Sequence, residues 1–192
     1  MELACQEQLI ARLATDREFR EAFFTDPARV AATEGWTAAV EALGPLHHEQ
    51  MRQFARLLRT RRLALVGQRL PGTRKALGPR FGEVFRYYAV LTAPPGETAD
   101  QDAQRFAKYL GEYAGEHELS PAWVLSLARY EALGLQAEAK GRQFTVRVFP
   151  HAVKKLMALL AAGEVPPGEY RRKTTAIWWR AAARRRLRHK LI

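Results

Sequence analysis

The sequence predicts a mainly α protein, with an N-terminal helical domain and a smaller C-terminal α+β domain that contains a small antiparallel sheet. Apolar residues recur at helical spacing through the first 92 residues. The segment "TAPPGET" (92–98) then interrupts this pattern with two prolines and a glycine. After Gly141, β-branched and aromatic runs typical of strands appear. The predicted domains are therefore residues 1–92 and 99–192, joined by a linker at 93–98.

Capping signals divide the N-terminal domain into helices. Thr15 and Glu18 form a capping-box pattern before one helix. Asp26-Pro27 is expected to begin the next, because aspartate caps a helix N-terminus and proline is favoured in the first turn. Gly35 is placed to end that helix.

Two further helices are expected in the rest of this domain, followed by one that begins at Pro79. A short helix at Thr37–Leu43 ends at Gly44, and a longer one runs from about His48 to Leu70 until Pro71-Gly72 stops it. The long helix carries arginines on the face opposite its apolar residues. This face is a solvated helix surface, a docking surface for acidic blocks of another protein, or a surface that contacts nucleic acid directly. These arginines are Arg52, Arg56, Arg59, Arg61, Arg62 and Arg69.

The C-terminal domain is predicted to mix helices with three strands. Its last strand depends on a turn near Ala182–Arg184, because the alanine- and arginine-rich tail also suits a helix. In the second strand, alternation places Thr175, Ile177 and Trp179 on one face. The expected elements are helices at about 100–114, 121–139 and 151–162, and strands at about 143–149, 174–180 and 185–191.

The net charge of +11 is distributed in alternating blocks. Residues 1–50 and 93–140 are acidic, with net charges of −5 and −4, whereas residues 51–92 and 141–192 carry +9 and +11. Such patches attract phosphates or carboxylates, and they also favour docking of one block against another.

Composition favours a cytoplasmic protein. A single cysteine, Cys5, excludes an internal disulfide framework. The N-terminus lacks the basic and apolar pattern of a signal peptide, and no apolar run is long enough to span a membrane.

The sequence contains no recognisable catalytic set. Cys5 has no histidine close in sequence, and the adjacent His47 and His48 point to different helix faces, which is poor geometry for chelation. Glu112, Glu116 and His117 have helical spacing but lie among other charges. The loop "LPGTRKALGPR" (70–80) lacks the Gly-Lys-Ser/Thr ending of a phosphate loop.

The sequence feature that most indicates a binding function is the ending "KTTAIWWRAAARRRLRHKLI" (173–192), in which two tryptophans precede a basic tail. The structural interpretation is that one tryptophan lies in the core and the arginines solubilise a terminal edge strand. A functional hypothesis is an edge strand that accepts an extended peptide by β-augmentation. The alternative is a basic nucleic-acid-binding surface, with tryptophan stacking on bases. A stand-alone enzyme is the third possibility.

Four segments resemble the small partner proteins of multinuclear non-heme iron-dependent oxidative enzymes, which modify ribosomally synthesised peptides, as in methanobactin and 3-thiaglutamate biosynthesis. The resemblance covers most of the chain in the same order, apart from the unusually basic tail at Arg184–Lys190. The segments are "LIARLATDREFREAFFTDPARVAATEGW" (9–36), "RLPGTRKALGPRFGEVFRYYA" (69–89), "PAWVLSLARYEALGL" (121–135) and "TTAIWWR" (174–180).

The resemblance implies a non-catalytic subunit that binds the leader of a precursor peptide and docks on the oxidative enzyme. That enzyme would hold the iron, so no cofactor or metal is expected in this chain. The peptide-binding residues are predicted to be Thr174, Thr175, Ala176, Ile177, Trp178, Arg180, Arg184, Arg185, Arg186 and Arg188. The residues predicted at a domain junction or partner-docking surface are Arg129, Tyr130, Glu131 and Trp179.

Overall fold

The computed structural model describes residues 2–92, 98–139, 144–168, 171–180 and 186–192. In these residues the chain forms ten helices and one three-stranded antiparallel sheet in its C-terminal region, so the predicted fold class is confirmed. The helices are α1 (Glu2–Thr15), α2 (Arg17–Thr25), α3 (Pro27–Glu34), α4 (Thr37–Leu43), α5 (His48–Arg69), α6 (Pro71–Leu77), α7 (Pro79–Leu91), α8 (Ala99–Glu116), α9 (Val124–Ala139) and α10 (Val153–Ala162). The strands are β1 (Phe144–Phe149), β2 (Thr174–Trp179) and β3 (Arg188–Leu191).

Most of the predicted helix ends in the N-terminal region are confirmed. Asp26 accepts a hydrogen bond from the Arg29 amide and caps α3, and Gly35 ends that helix with φ of 72°, a conformation that glycine adopts without strain. The capping box was wrong. Thr15 is the last residue of α1, and the Asp16 side chain caps α2 by accepting from the Phe19 amide.

Two helix assignments differ from the sequence prediction. The seven residues after Leu70 form α6, which the glycine and two flanking prolines obscured in the sequence. Helix α9 begins at Val124 rather than at Pro121, because residues 121–123 form a turn in which the Pro121 carbonyl accepts from the Val124 amide.

The sheet has the strand order β1-β2-β3. Strand β1 pairs with β2 with Phe144 opposite Trp179, and β2 pairs with β3 with Trp179 opposite Arg188. The third strand therefore forms where the tail was expected to pair back, although the turn predicted near Ala182–Arg184 lies outside the described residues. Strand β2 is the central strand, so the prediction that residues 174–180 form a sheet edge is wrong.

The chain divides into two compact units, one comprising Met1–Arg62 with Ala89–Pro94 and the other Leu63–Tyr88 with Pro95–Ile192. This division falls inside α5 and α7, whereas the sequence placed the boundary at the linker. Of that linker, residues 93–97 lie outside the described residues, and Thr98 forms a capping box with Gln101 at the start of α8.

Each unit has its own apolar core. In the first unit the core is formed by Leu9, Leu13, Phe19, Phe23 and neighbouring residues from α1 to α5. In the second unit Phe106 packs edge-on against Phe81 and Phe85, and the Tyr88 hydroxyl donates to the buried Asp102 carboxylate at 2.6 Å. Within the described residues, none of the helices is both long and apolar enough to cross a bilayer.

Candidate functional site

Strand β2 presents its predicted peptide-binding residues to two different faces of the sheet. Thr174, Ala176 and Trp178 are buried on the inner face, and the intervening Thr175 and Ile177 are half-buried on the outer face. The alternation predicted for this strand is thus confirmed. Both edges of β2 are occupied by neighbouring strands, so its backbone cannot pair with a further peptide.

Trp178 is a core residue on the inner face of the sheet. Its indole is 3% exposed and lies 5.5 Å, between ring centroids, from Tyr130 on α9, and Tyr130 also contacts Phe149 edge-on at 6.0 Å. These three rings join the sheet to α9. Trp178 therefore acts in packing, which is the ordinary role of a large aromatic side chain at such a site.

The basic residues after β2 have different surroundings. The Arg180 guanidinium donates to the carbonyls of Ala137 and Glu138 at 3.0 and 2.8 Å. These carbonyls belong to the last turn of α9, where no further helical amide is available to them. Arg186 and Arg188 are exposed. Arg184 and Arg185, also predicted to bind peptide, lie outside the described residues.

Glu131, predicted at a domain junction, joins two helices within the second unit. Its carboxylate accepts hydrogen bonds from the Gly72 amide at 2.7 Å and from the amide and hydroxyl of Thr73 at 3.0 and 2.6 Å. It therefore anchors the first turn of α6 to α9. Burial raises the pKa of Glu131, and these hydrogen bonds oppose that shift.

The other predicted junction residues take separate positions. Tyr130 lies in the core described above, and burial, together with the charge of Glu131, raises the pKa of its phenol. Trp179 is half-buried on the outer face of the sheet, and Arg129 is exposed on α9. The structure thus does not gather these residues into one surface.

Among the described residues, no strand pairs with the outer edge of β1. Thr175 and Ile192 exchange two backbone hydrogen bonds, at 2.8 and 2.9 Å, so the polar backbone groups of Thr175 point toward β3. Because successive residues of an antiparallel strand point alternately to its two neighbours, Thr174, Ala176 and Trp178 bond with β1. Their partners are Phe149, Arg147 and Thr145. The amides and carbonyls of the remaining residues, Phe144, Val146 and Val148, therefore point away from the sheet.

A groove of about 450 Å³ lies beside this edge. Residues 147–150 form one wall, and α8 and α9 form the other. Three cationic side chains line it, namely Lys108, Arg129 and Arg147, together with the amides of Gln104 and Gln136. We call this the β1 groove.

Arg147 partly covers the edge. Its guanidinium donates to the Val146 carbonyl at 3.1 Å, so this outward-facing acceptor is bound by the neighbouring side chain. A charged side chain on an edge strand protects it from indiscriminate pairing. The contact is exposed and its donor is flexible, so another strand can displace it.

A serine and a histidine meet at the end of β1. The Ser126 hydroxyl and His151 Nδ1 are 2.7 Å apart, and burial, with the charge of Arg171, lowers the pKa of His151. A neutral imidazole beside a hydroxyl is the start of a nucleophile–base pair. Ser126, however, is only 4% exposed, and the contact fastens the end of β1 to α9. We assign the pair a structural role.

Other chemical candidates from the sequence do not assemble into sites. The His48 ring packs at a tilt against Phe24, and its Nε2 lies 3.1 Å from a Glu21 carboxylate oxygen. His117 stacks on Tyr113. Over the described ranges, histidine, cysteine and acidic side chains form no group of three able to hold a metal ion. Several arginines of α5 have local partners, including Glu49 for Arg56.

Residues 45–112 match the family described as SCO6045-like, C-terminal domain. This family has no characterised function, and the match covers about a third of the chain. It includes Gln104 and Lys108 in the α8 wall of the β1 groove but stops before α9 and the sheet. No curated protein and no solved structure matches the chain.

The β1 groove was not predicted from the sequence. Its cations come from three elements, and Lys108, Arg129 and Arg147 are separated by about twenty residues each. The sequence predicted a strand at 143–149 but assigned the available edge to residues 174–180.

Proposed function

We propose that this chain is a non-catalytic partner subunit that binds the leader of a ribosomally synthesised precursor peptide by strand addition and presents it to a multinuclear iron-dependent oxidative enzyme. The free edge of β1, bordered by a cationic groove, is the observation that carries this proposal. The resemblance of four sequence segments to such partner proteins supplies the class of enzyme.

Strand β1 is better suited to strand addition than the opposite edge. It has six residues, whereas β3 has four, and it has a groove with a second wall on α8 and α9. An added strand would bond to the outward amides and carbonyls of β1, and side chains in the groove would provide selectivity.

The proposed mechanism is proximity. A peptide held by its leader keeps its modifiable end at a high effective concentration near the active site of the enzyme. The oxidative chemistry and its iron belong to that enzyme, and this chain contributes binding and orientation.

Proline substitution on β1 tests the site of peptide binding. Val148→Pro removes an amide that points away from β2, so it blocks the added strand while the β1–β2 ladder is retained. Loss of one main-chain hydrogen bond and the clash of the ring should weaken leader binding by about tenfold. Val148→Thr retains the amide and is the matched control. Binding of the precursor peptide is measured by calorimetry.

Two results would contradict the proposal. The first is leader affinity that Val148→Pro leaves unchanged, since the peptide would then bind elsewhere. The second is purification of the chain from its native extract without an iron enzyme, but with nucleic acid that it loses steeply between about 50 and 200 mM salt. That second result would favour the nucleic-acid alternative.

A further inference from the structure

We infer that the β1 edge selects an extended peptide in which acidic residues alternate with apolar ones. This inference deepens the proposed function and rests on it. The two sides of an added strand would contact two different surfaces. The chemistry of these surfaces indicates the class of peptide that binds.

The geometry of strand pairing sets the alternation. Residues directly opposite each other in an antiparallel or parallel pair place their side chains on the same face of the sheet. Peptide residues beside Val146 and Val148 would therefore lie over the outer face. The intervening residues, beside Arg147, would point to the inner side, where the β1 groove lies.

The inner side is cationic. Lys108, Arg129 and Arg147 reach the groove from three different elements, and the part of the chain that the structure describes contributes no acidic residue to its lining. One of these cations, Lys108, forms an ion pair on its own helix with Glu112, whose carboxylate lies 3.4 Å from the Lys108 ammonium. Carboxylates of a bound peptide would meet an excess of positive charge here.

The outer side is apolar along β1, whereas Arg188 and Lys190 lie on the same face at the opposite edge of the sheet, in β3. Phe144 and Val148 are 66% and 63% exposed, and the half-buried Val146 lies between them on the same face. In the adjacent strand the row continues with Ile177 and Trp179, which are also half-buried. Apolar side chains on an added strand would cover Phe144 and Val148, and burial of such surface favours binding.

These two surfaces together favour a peptide over a nucleic acid. A nucleic-acid backbone carries a charge at every nucleotide and lacks the amide donors that would pair with the outward carbonyls of β1. An alternating acidic and apolar strand matches the charge on one side, the apolar row on the other and the backbone between them.

Three labelled peptides of about eight residues, long enough to cover the six residues of β1, test this specificity by fluorescence anisotropy on the full chain. The first alternates Glu with Val. The second alternates Lys with Val, and the third has the composition of the first but separates its Glu and Val residues into two blocks. We expect the first to bind most tightly.

Variants of the groove provide the matched comparison. Arg129→Gln should weaken binding of the Glu–Val peptide by about two- to fivefold, the usual contribution of one exposed ion pair. Arg172→Gln changes the net charge equally at an exposed position outside the groove, and it should have little effect. Arg129→Glu should reduce the ratio of the affinity for the Glu–Val peptide to the affinity for the Lys–Val peptide.

The outcomes separate the two proposals. If Val148→Pro weakens binding of all three peptides but the Lys–Val or the block peptide binds as tightly as the first, strand addition stands and the alternation rule is wrong. Equal effects of Arg129→Gln and Arg172→Gln would also overturn it, since charge would then act without the groove. If none of the peptides responds to Val148→Pro, the proposed edge itself fails.

Discussion

Replacement of Glu131 by glutamine should destabilise the second unit because it breaks the junction of α6 and α9. The native carboxylate accepts three hydrogen bonds from Gly72 and Thr73. A glutamine retains one carbonyl oxygen, and its NH₂ group faces a backbone donor where the second oxygen was. The Thr73 hydroxyl can rotate and accept, but one amide loses its acceptor.

The expected cost follows from that lost acceptor. A part-buried N–H without a partner costs about 1–3 kcal/mol, and relief of the burial of a charge offsets some of it. The cost should depend on pH, because burial raises the pKa of Glu131 above its ordinary value of 4.5. The folded unit then holds the proton more tightly than the unfolded chain does, and the protonated carboxyl group still has two oxygens that can accept, whereas the NH₂ group of glutamine cannot. The contribution of Glu131 to the free energy of unfolding is therefore largest at or below about pH 4.5 and falls as pH rises through the folded pKa.

The assay is urea denaturation followed by tryptophan fluorescence at about pH 4.5 and about pH 8. Three of the four tryptophans, Trp123, Trp178 and Trp179, belong to the second unit, so a Trp36→Phe background confines the signal to that unit. The difference in unfolding free energy between Glu131 and Glu131→Gln should shrink as pH rises.

A difference that grows with pH would refute this reasoning about Glu131. It would mean that the hydrogen bonds at the start of α6 outweigh burial and lower the carboxyl pKa. Glu138→Gln on the same helix is the control, because that side chain is exposed and its replacement should change stability by no more than about 0.5 kcal/mol.

Three further substitutions test the fold. Trp178→Ala should lower the free energy of unfolding, measured by chemical denaturation, by about 3–5 kcal/mol because it leaves a cavity in the core. Trp179→Ala should lower it clearly less. Equal losses would contradict the placement of Trp178 on the inner face and Trp179 on the outer face of β2. Tyr88→Phe removes the 2.6 Å hydrogen bond to Asp102 and should cost about 1–3 kcal/mol, whereas an unchanged melting temperature would show that this bond adds nothing. Asp26→Ala should cost about 1 kcal/mol through loss of the α3 cap, and Asp26→Asn should retain most of it, since both Asp and Asn cap well.

The helices and strands were largely predictable because their signals are local. Asp26-Pro27 and Gly35 specify the ends of α3 through contacts within four residues. The facing of Trp178 and Trp179 follows from the period of two in any strand. The cap of α2 was predicted wrongly because α1 extends through Thr15, which leaves Asp16 as the capping residue.

The candidate site was predicted only in part. The sequence indicated a small sheet with an edge available to a peptide, but it assigned that edge to β2. The order of strands depends on which segments pair, here Phe149 of β1 with Thr174 of β2 and Trp179 of β2 with Arg188 of β3. Periodicity within one strand carries no information about that. Because the prediction rested on the basic tail, it placed the peptide-binding site at residues 174–188. In the structure the cationic groove lies beside β1.

The sequence by itself determined which residues form helices and strands and which side chains of each strand share a face, since these depend on neighbours a few positions away. Only the tertiary structure decided that β2 is central, that Glu131 holds the first turn of α6, and that cations from three elements line one groove. Each of these depends on packing between segments distant in the chain, where the lowest free energy is a property of the whole unit rather than of any one segment.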